Sequence, residues 1–563
     1  MYYREYLKQS EFGSYEDFMK NYQVMAPEGF NFAFDVLDRV AGEAPDKRAL
    51  VWAHPDGRRR EFTFADIARE SDKAANLLRS KGIGKGDAVM LVLMRHYQFW
   101  FAIMALHKLG AIAVPATHLL TKKDIEYRVN AASVKAVIAT SYGEFSAHME
   151  DAEPQCPSLA FKMIVGGARD GWLEFDAELE AQSAEFEKPD TPNANDDIML
   201  LYFTSGTTGM PKMVALPFTY PLGHIQTAVY WQGCVDDGLH LTLSETGWAK
   251  SVWGKLYGQW LSGSAVLAYD YDKFDPKALI SVVAETGVTT FCAPPTIYRY
   301  FIQEDLSQFD LSAVERWSIA GEPLNPEVYN KWLEMTGKSL REIYGQTELC
   351  VTVGTFPWMK VCPGSMGKPA PQFDVDLVDD QGVSCPPGQV GEIVVRTRHG
   401  RPIGMFLGYY RDEERTTAVW RDDMYHTLDL AWRDEWGYYW YVGRADDVIK
   451  SAGYRIGPFE VESALMEHPA VVETAITGIP DEVRGQVVKA TIVLAKGFEP
   501  GDALKRELQD HVKKVTAPYK YPRIVEFVDE LPKTIGGKIM RGRIREENSK
   551  QSAESAGNKD MPN

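Results

Sequence analysis

Short, wholly apolar runs alternate with longer amphipathic stretches through most of this chain. Residues 88–94 and 136–139 are too short for core helices and carry no polar alternation, the pattern of strands buried on both faces. Phe64–Ser80 instead spaces its apolar residues along one helix face. Buried strands separated by helices pair in parallel beneath covering helices, so the expected class is α/β, with parallel-rich sheets sandwiched by helices. Residues 198–203 form a further buried strand after the turn-rich stretch 189–197, and residues 392–397 another after Pro386-Pro387-Gly388.

The pattern changes near residues 444–447. Beyond lie a helix at about 458–467, strands near 471–476 and 487–494, and a helix over Asp502–Val515, an α+β order. The chain therefore divides into a large domain, residues 1–445, a small domain, residues 446–545, and a polar tail, residues 546–563, expected to be disordered. At 563 residues it has length for more than one domain and for a core without disulfides or structural metal.

Lys and Arg number 61 against 79 Asp and Glu, a net charge of −18 that argues against nucleic-acid partners but not against a local phosphate site. The six cysteines include no Cys-x-x-Cys pair, and no His cluster has zinc spacing, so reduced thiols in a reducing compartment are expected. The first residues are charged and aromatic, without an export or transit pattern. The most apolar stretch, residues 99–106, is far short of a membrane span. The expectation is a cytoplasmic protein without integral membrane association. Its oligomeric state is left open, a homo-oligomer included.

Chemistry concentrates after the strand at 198–203, in Thr204, Ser205, Gly206, Thr207, Thr208, Gly209, Met210, Pro211 and Lys212. Small hydroxyl residues and glycines let backbone N–H groups approach an anion, and Lys212 adds a point charge. This composition suits a phosphate cradle, although a flexible surface loop shares it. The spacing is not that of a Walker A loop.

The nonapeptide resembles the phosphate-binding signature of the adenylate-forming superfamily, which includes acyl-CoA synthetases, luciferases and peptide-synthetase adenylation domains. Further segments resemble that superfamily in its own order. They are Glu342-Ile343-Tyr344-Gly345-Gln346-Thr347-Glu348, Tyr425-His426-Thr427-Leu428-Asp429, Gly443-Arg444-Ala445-Asp446-Asp447, Gly453-Tyr454-Arg455-Ile456 and Pro532-Lys533-Thr534-Ile535-Gly536-Gly537-Lys538. The resemblance spans about residues 30–545. It implies a barrel-like β subdomain in the large domain and a small domain that rotates about Asp446. It also implies an ATP site made of the 204–212 loop, Glu342 to Thr347, Asp429, Arg444, Arg455 and Lys538. Thr204, Glu348 and Lys538 are the implied catalytic residues. Lys538 would reach the carboxylate and α-phosphate, Thr347 the α-phosphate, and Asp429 the ribose diol. Glu348 is a hard oxygen ligand suited to Mg²⁺.

The implied reaction joins ATP, a carboxylic acid and coenzyme A. A carboxylate is a poor acyl donor until attack on the α-phosphorus gives it AMP as leaving group, and positioned cations and N–H donors stabilise the charge. For the thiol step the resemblance brings Ala452, Gly453 and Tyr454 to the CoA tunnel. Arg484, Lys513, Tyr521 and Arg523 are candidates for gripping the CoA nucleotide, with ordinary surface residues as the alternative.

Gly247-Trp248-Ala249-Lys250-Ser251, Ala320-Gly321-Glu322-Pro323 and Thr516-Ala517-Pro518-Tyr519-Lys520-Tyr521-Pro522-Arg523 are most similar to the medium-chain acyl-CoA synthetase group. Trp248, Gly321, Gly345 and Thr347 are the candidate acid pocket, with Trp253 and Tyr257 either lining it or packing the core. Acetyl-CoA synthetases carry a Trp at the position of Gly345, so this glycine is expected to leave room for a medium-chain, branched or aromatic acid. Two other functions share the adenylation motifs: an acyl-AMP ligase serving a carrier protein, and a catalytically silent nucleotide-binding relative.

Overall fold

The computed structural model describes residues 1–204, 210–452, 454–481, 483–533 and 539–548, with the backbone alone for Arg455. The expected disordered tail lies outside the described residues, save its first three. The strands form four sheets. The largest has nine, in the order Lys368–Pro369, Leu349–Gly354, Leu340–Gln346, Arg316–Ile319, Thr290–Ala293, Leu239–Thr242, Ala265–Tyr269, Arg48–Ala53 and Arg59–Thr63. Its six strands from Leu340–Gln346 to Arg48–Ala53 run parallel, and the outer ones are antiparallel.

The second sheet has eight strands, in the order Gly408–Tyr409, Lys212–Pro217, Ile198–Thr204, Ile112–Pro115, Ala88–Val92, Val134–Thr140, Phe161–Val165 and Leu173–Glu174. It too is parallel except at the Lys212–Pro217 edge. The signature loop therefore does not lead into a helix. It joins two antiparallel strands, with Thr204 paired to Lys212 and Phe203 to Met213.

Every residue of the helix Gln98–Leu109 is buried, so the most apolar stretch of the sequence is a core helix. It packs on Phe64–Ser80, which begins as its sequence requires: the Thr63 hydroxyl accepts from the Asp66 N–H at 3.1 Å, and the Asp66 carboxylate accepts from the Thr63 N–H at 3.0 Å. Among the described residues no helix is long and apolar enough to cross a membrane.

Two smaller sheets follow. Asp374–Val378, Gly391–Arg396, Met424–Arg433, Trp420–Arg421 and Tyr439–Arg444 form an antiparallel five-stranded sheet, the β subdomain that the resemblance implied. The last sheet holds Tyr454–Ile456, Ile449–Ser451, Gly485–Leu494, Val471–Asp481 and Ile524–Phe527. It packs the helices Pro458–Met466 and Asp502–Val515 over a separate core of Ile456, Leu465, Ile476, Val488 and Leu508. Pro458–Met466 also touches the large part of the chain, where Asn325 donates to the Ser463 carbonyl at 3.4 Å. A side chain on Gly457 would lie 2.5 Å from the Val442 carbonyl oxygen, so only glycine allows this close approach.

Candidate active site

Strand ends of the sheets bring the candidate residues together, as is usual for ligand sites on parallel α/β sheets. Leu340–Gln346 turns at Thr347 and Glu348 into Leu349–Gly354, with Gln346 paired to Leu349. The tight turn leaves Thr347 half-buried and carries Glu348 inward, 8% exposed. The Tyr409 hydroxyl donates to Glu348 Oε1 at 2.9 Å. Lys212 Nζ donates to that same hydroxyl at 3.3 Å and lies 4.7 Å from the ring centroid. Burial pushes the Glu348 carboxyl up, against its own backbone N–H, Tyr409 and Lys212. Burial pushes the Lys212 ammonium down, against Glu348.

Asp429 lies on Met424–Arg433 and faces Arg444 across the strand pair. Its buried carboxylate accepts from Gln346 Nε2 at 2.6 Å, Tyr344 Oη at 2.7 Å and Tyr441 Oη at 3.1 Å, and Arg444 stands 3.9 Å away. Burial raises this carboxyl, while the guanidinium and the three donors hold it down. Gln346 is fixed in turn by Tyr425 Oη at 2.8 Å and by its own bond to the Thr427 carbonyl at 2.9 Å. Glu342 and Ile343 are buried beneath this surface. Glu342 Oε1 accepts from the Leu324 N–H at 3.1 Å, and Oε2 has no partner among the described residues. Burial pushes the Glu342 carboxyl up to about 8.

The acid-side residues require one correction. A Cβ on Gly345 would lie 2.4 Å from Trp253 Cη2. The indole, whose N–H donates to Tyr220 Oη at 3.0 Å, fills the space that Gly345 was expected to leave open. The glycine thus admits a protein side chain first. Tyr257 is core, its hydroxyl 2.8 Å from His107 Nε2. Trp248 is half-buried at the start of Lys250–Gly254. Gly321 is exposed at φ +108, and Lys250 Nζ donates to the neighbouring Ala320 carbonyl at 2.7 Å.

The CoA-side candidates fall into two groups. The Ala452 N–H donates to the Arg484 carbonyl at 2.8 Å. Tyr521 lies between Lys513, 4.4 Å from its ring centroid, and Arg523, 5.0 Å away. The exposed rings of Tyr454 and Tyr519 join these groups, stacked 4.1 Å apart at 15°. Asp446 is exposed and accepts from Arg444 Nε at 3.4 Å. Ser205, Gly206, Thr207, Thr208, Gly209, Gly453, Lys538 and the Arg455 side chain lie outside the described residues, whereas Met210 and Pro211 lie within them. Tyr409, Tyr425, Tyr441 and Tyr519 are the site residues that sequence reasoning missed. Only Tyr425 and Tyr519 fell inside matched strings, and nothing in a lone tyrosine signals its partner.

The AMP-binding enzyme profile matches residues 37–410, and the profile of the AMP-binding enzyme C-terminal domain matches residues 460–538. Acyl-coenzyme A synthetase ACSM3, mitochondrial, of Mus musculus is 39% identical over 95% of this chain and 93% of its own length. Acyl-coenzyme A synthetase ACSM4, mitochondrial, of Homo sapiens is 42% identical over 92% and 91%. The chain belongs to the AMP-binding enzyme family, as one of its acyl-CoA synthetases.

Solved structures of the family agree. The anthranilate CoA ligase AuaEII in complex with anthranoyl-AMP superposes with a TM-score of 0.86 at 31% identity, covering 94% of this chain and 99% of that one. A benzoate CoA ligase from Burkholderia xenovorans LB400 gives 0.79 at 25% identity, covering 92% and 100%. The mitochondrial names of the curated relatives overturn the cytoplasmic expectation. The free thiols, one of the grounds for it, fit any reducing compartment.

Glu342 gives this acyl-CoA synthetase a testable pH dependence. Its folded value of about 8 lies above its ordinary 4.5, so between them the folded chain holds the extra proton and stability falls as pH rises. Glu342→Gln keeps the acceptor for Leu324 and removes the titration. Denaturation midpoints of the variant gain on the parent as pH rises through this window. Parallel profiles for the two proteins would refute the assignment.

Proposed function

We propose that the chain activates an aromatic or short branched carboxylic acid as its adenylate and passes the acyl group to CoA, with residue roles as follows. The observation that carries this reading is the convergence of Lys212, Glu348, Asp429 and Arg444, joined by Tyr409, by Gln346 and by the charge of Arg444 felt at both Lys212 and Glu348. Lys212 and Arg444 supply fixed positive charge where a carboxylate and a triphosphate, both anions, must meet. Asp429 accepts a ribose hydroxyl at the one acceptor position left open on Oδ1. Three of its roughly four acceptor positions are already filled by Tyr344, Gln346 and Tyr441, so its orientation is set before ATP arrives.

Glu348 fits Mg²⁺. It is a hard, buried oxygen donor that Tyr409 links to Lys212. Mg²⁺ characteristically takes one or two carboxylates and completes its shell with phosphates and water. When bound, the ion would offset phosphate charge.

In the first half-reaction a carboxylate oxygen attacks the α-phosphorus and diphosphate leaves. Lys538, carried by the small domain, faces the transferring group. Rotation about Asp446 then withdraws Lys538 and brings Ala452, Gly453 and Tyr454 to the thiol path. Arg484, Lys513, Tyr521 and Arg523 grip the CoA nucleotide. Attack of sulfur on the acyl carbon expels AMP. We expect Lys538→Ala to slow adenylation by about 10²–10³-fold and to leave thioester formation from supplied acyl-AMP within about threefold. Equal loss in both half-reactions, followed by rapid mixing, would contradict this role.

The position of Trp253 supports the proposed acid class. With the indole over Gly345, the pocket ends on a flat aromatic wall, which suits a ring or a short branched chain. The solved ligases for anthranilate and benzoate support this reading. A panel from acetate to decanoate with benzoates, scored by CoA-dependent AMP formation, tests it. Trp253→Ala should move the optimum to longer chains, each added buried methylene raising kcat/KM about fourfold until the new space is filled. An unchanged optimum would remove Trp253 from the pocket wall.

A further inference from the structure

Tyr409 joins two groups to which separate roles were given above. Its hydroxyl donates to Glu348 Oε1 at 2.9 Å and accepts from Lys212 Nζ at 3.3 Å. The tyrosine has supports besides these two side chains. Its strand pairs with Lys212–Pro217, Tyr409 opposite Val214. Its N–H donates to Thr416 Oγ1 at 2.9 Å, and its ring meets Phe406 edge-on at 5.3 Å. It is 5% exposed, so water does not substitute for it.

The geometry has an electrostatic consequence. A buried carboxylate and a half-buried ammonium that share one hydroxyl would ordinarily close an ion pair, and breaking such a pair is expensive. A neutral hydroxyl between them gives each ion one hydrogen bond and leaves its outer face for a ligand. A tyrosine hydroxyl is both donor and acceptor, so one neutral group serves the carboxylate and the ammonium at once.

We propose that Tyr409 is a positioning residue that aims the Glu348 carboxylate at Mg²⁺ and keeps Lys212 from capturing it. The proposal rests on the assignment of Glu348 to Mg²⁺ and of Lys212 to the phosphates. It makes the hydroxyl, more than the ring, the functional part of the side chain. Groups that hold a metal ligand in place commonly matter 10–100-fold for metal affinity.

Calorimetric titration of the full chain with ATP, with and without Mg²⁺, tests the proposal. Tyr409→Phe should weaken Mg·ATP binding about tenfold. In a Lys212→Gln background, where nothing remains to capture Glu348, the same substitution should weaken it less than about threefold. A tyrosine that only supports the fold would lose the same factor in both backgrounds, and that result, or no loss in either, overturns the proposal. Glu348→Gln separates the underlying assignment: if it leaves the Mg²⁺ dependence of ATP affinity unchanged, both readings fail. If it abolishes that dependence while Tyr409→Phe has no effect, only the tyrosine's role fails. Should Tyr409→Phe not fold, Lys212→Gln alone decides. With Tyr409 still holding Glu348, it weakens ATP equally with and without Mg²⁺, whereas a loss confined to Mg·ATP would overturn the proposal.

Discussion

The buried carboxylate of Asp429 ties the site together. It draws Tyr344 and Gln346 from the nine-stranded sheet and Tyr441 from the five-stranded sheet onto one pair of oxygens. A buried charge left without such partners costs several kcal/mol, so the two sheets are held in one relative position by the need to satisfy it. The Glu348 turn leaves the same strand as Tyr344 and Gln346, two residues further on. Its position, and through Tyr409 that of Lys212, is therefore set by the same docking.

The site that results is polar and incompletely neutralised. Burial raises the carboxyls of both Glu348 and Asp429 and lowers the ammonium of Lys212. Arg444 stands 3.9 Å from Asp429, beyond close hydrogen-bond range, and also turns to the exposed Asp446 beside the start of the small domain. Groups held this way gain more from an incoming nucleotide than tightly closed ion pairs would, because no strong pair must first be broken. The Arg444–Asp446 contact sets Arg444, the cation proposed to face the nucleotide, just before the strands of the last sheet.

Much of the fold was legible because local and long-range signals agreed. Phe64–Ser80 has both helical spacing and a capping box, and Asp502–Val515 has a strong apolar stripe, so each formed as read. The pairing of the two strands that flank residues 205–209 was harder. Antiparallel pairing of Lys212–Pro217 with Ile198–Thr204 depends on a partner that periodicity does not name. Gly345 shows the limit most clearly. A glycine announces missing volume, but whether substrate or protein fills it depends on Trp253, 92 residues earlier in the chain. Tyr409 and Tyr441, beside Glu348 and Asp429, escaped notice for a related reason, since a hydroxyl's role lies in the atom it reaches.

Transfer of a carboxylate oxygen to AMP tests the adenylate route most directly. The acid is enriched in oxygen-18 at both carboxyl positions and turned over with ATP and CoA, and the nucleotide product is analysed by mass spectrometry. Attack of the carboxylate on the α-phosphorus, followed by cleavage of the acyl carbon–oxygen bond by the thiol, yields AMP carrying one heavy oxygen. AMP without the label, or ADP as the nucleotide product, would contradict it.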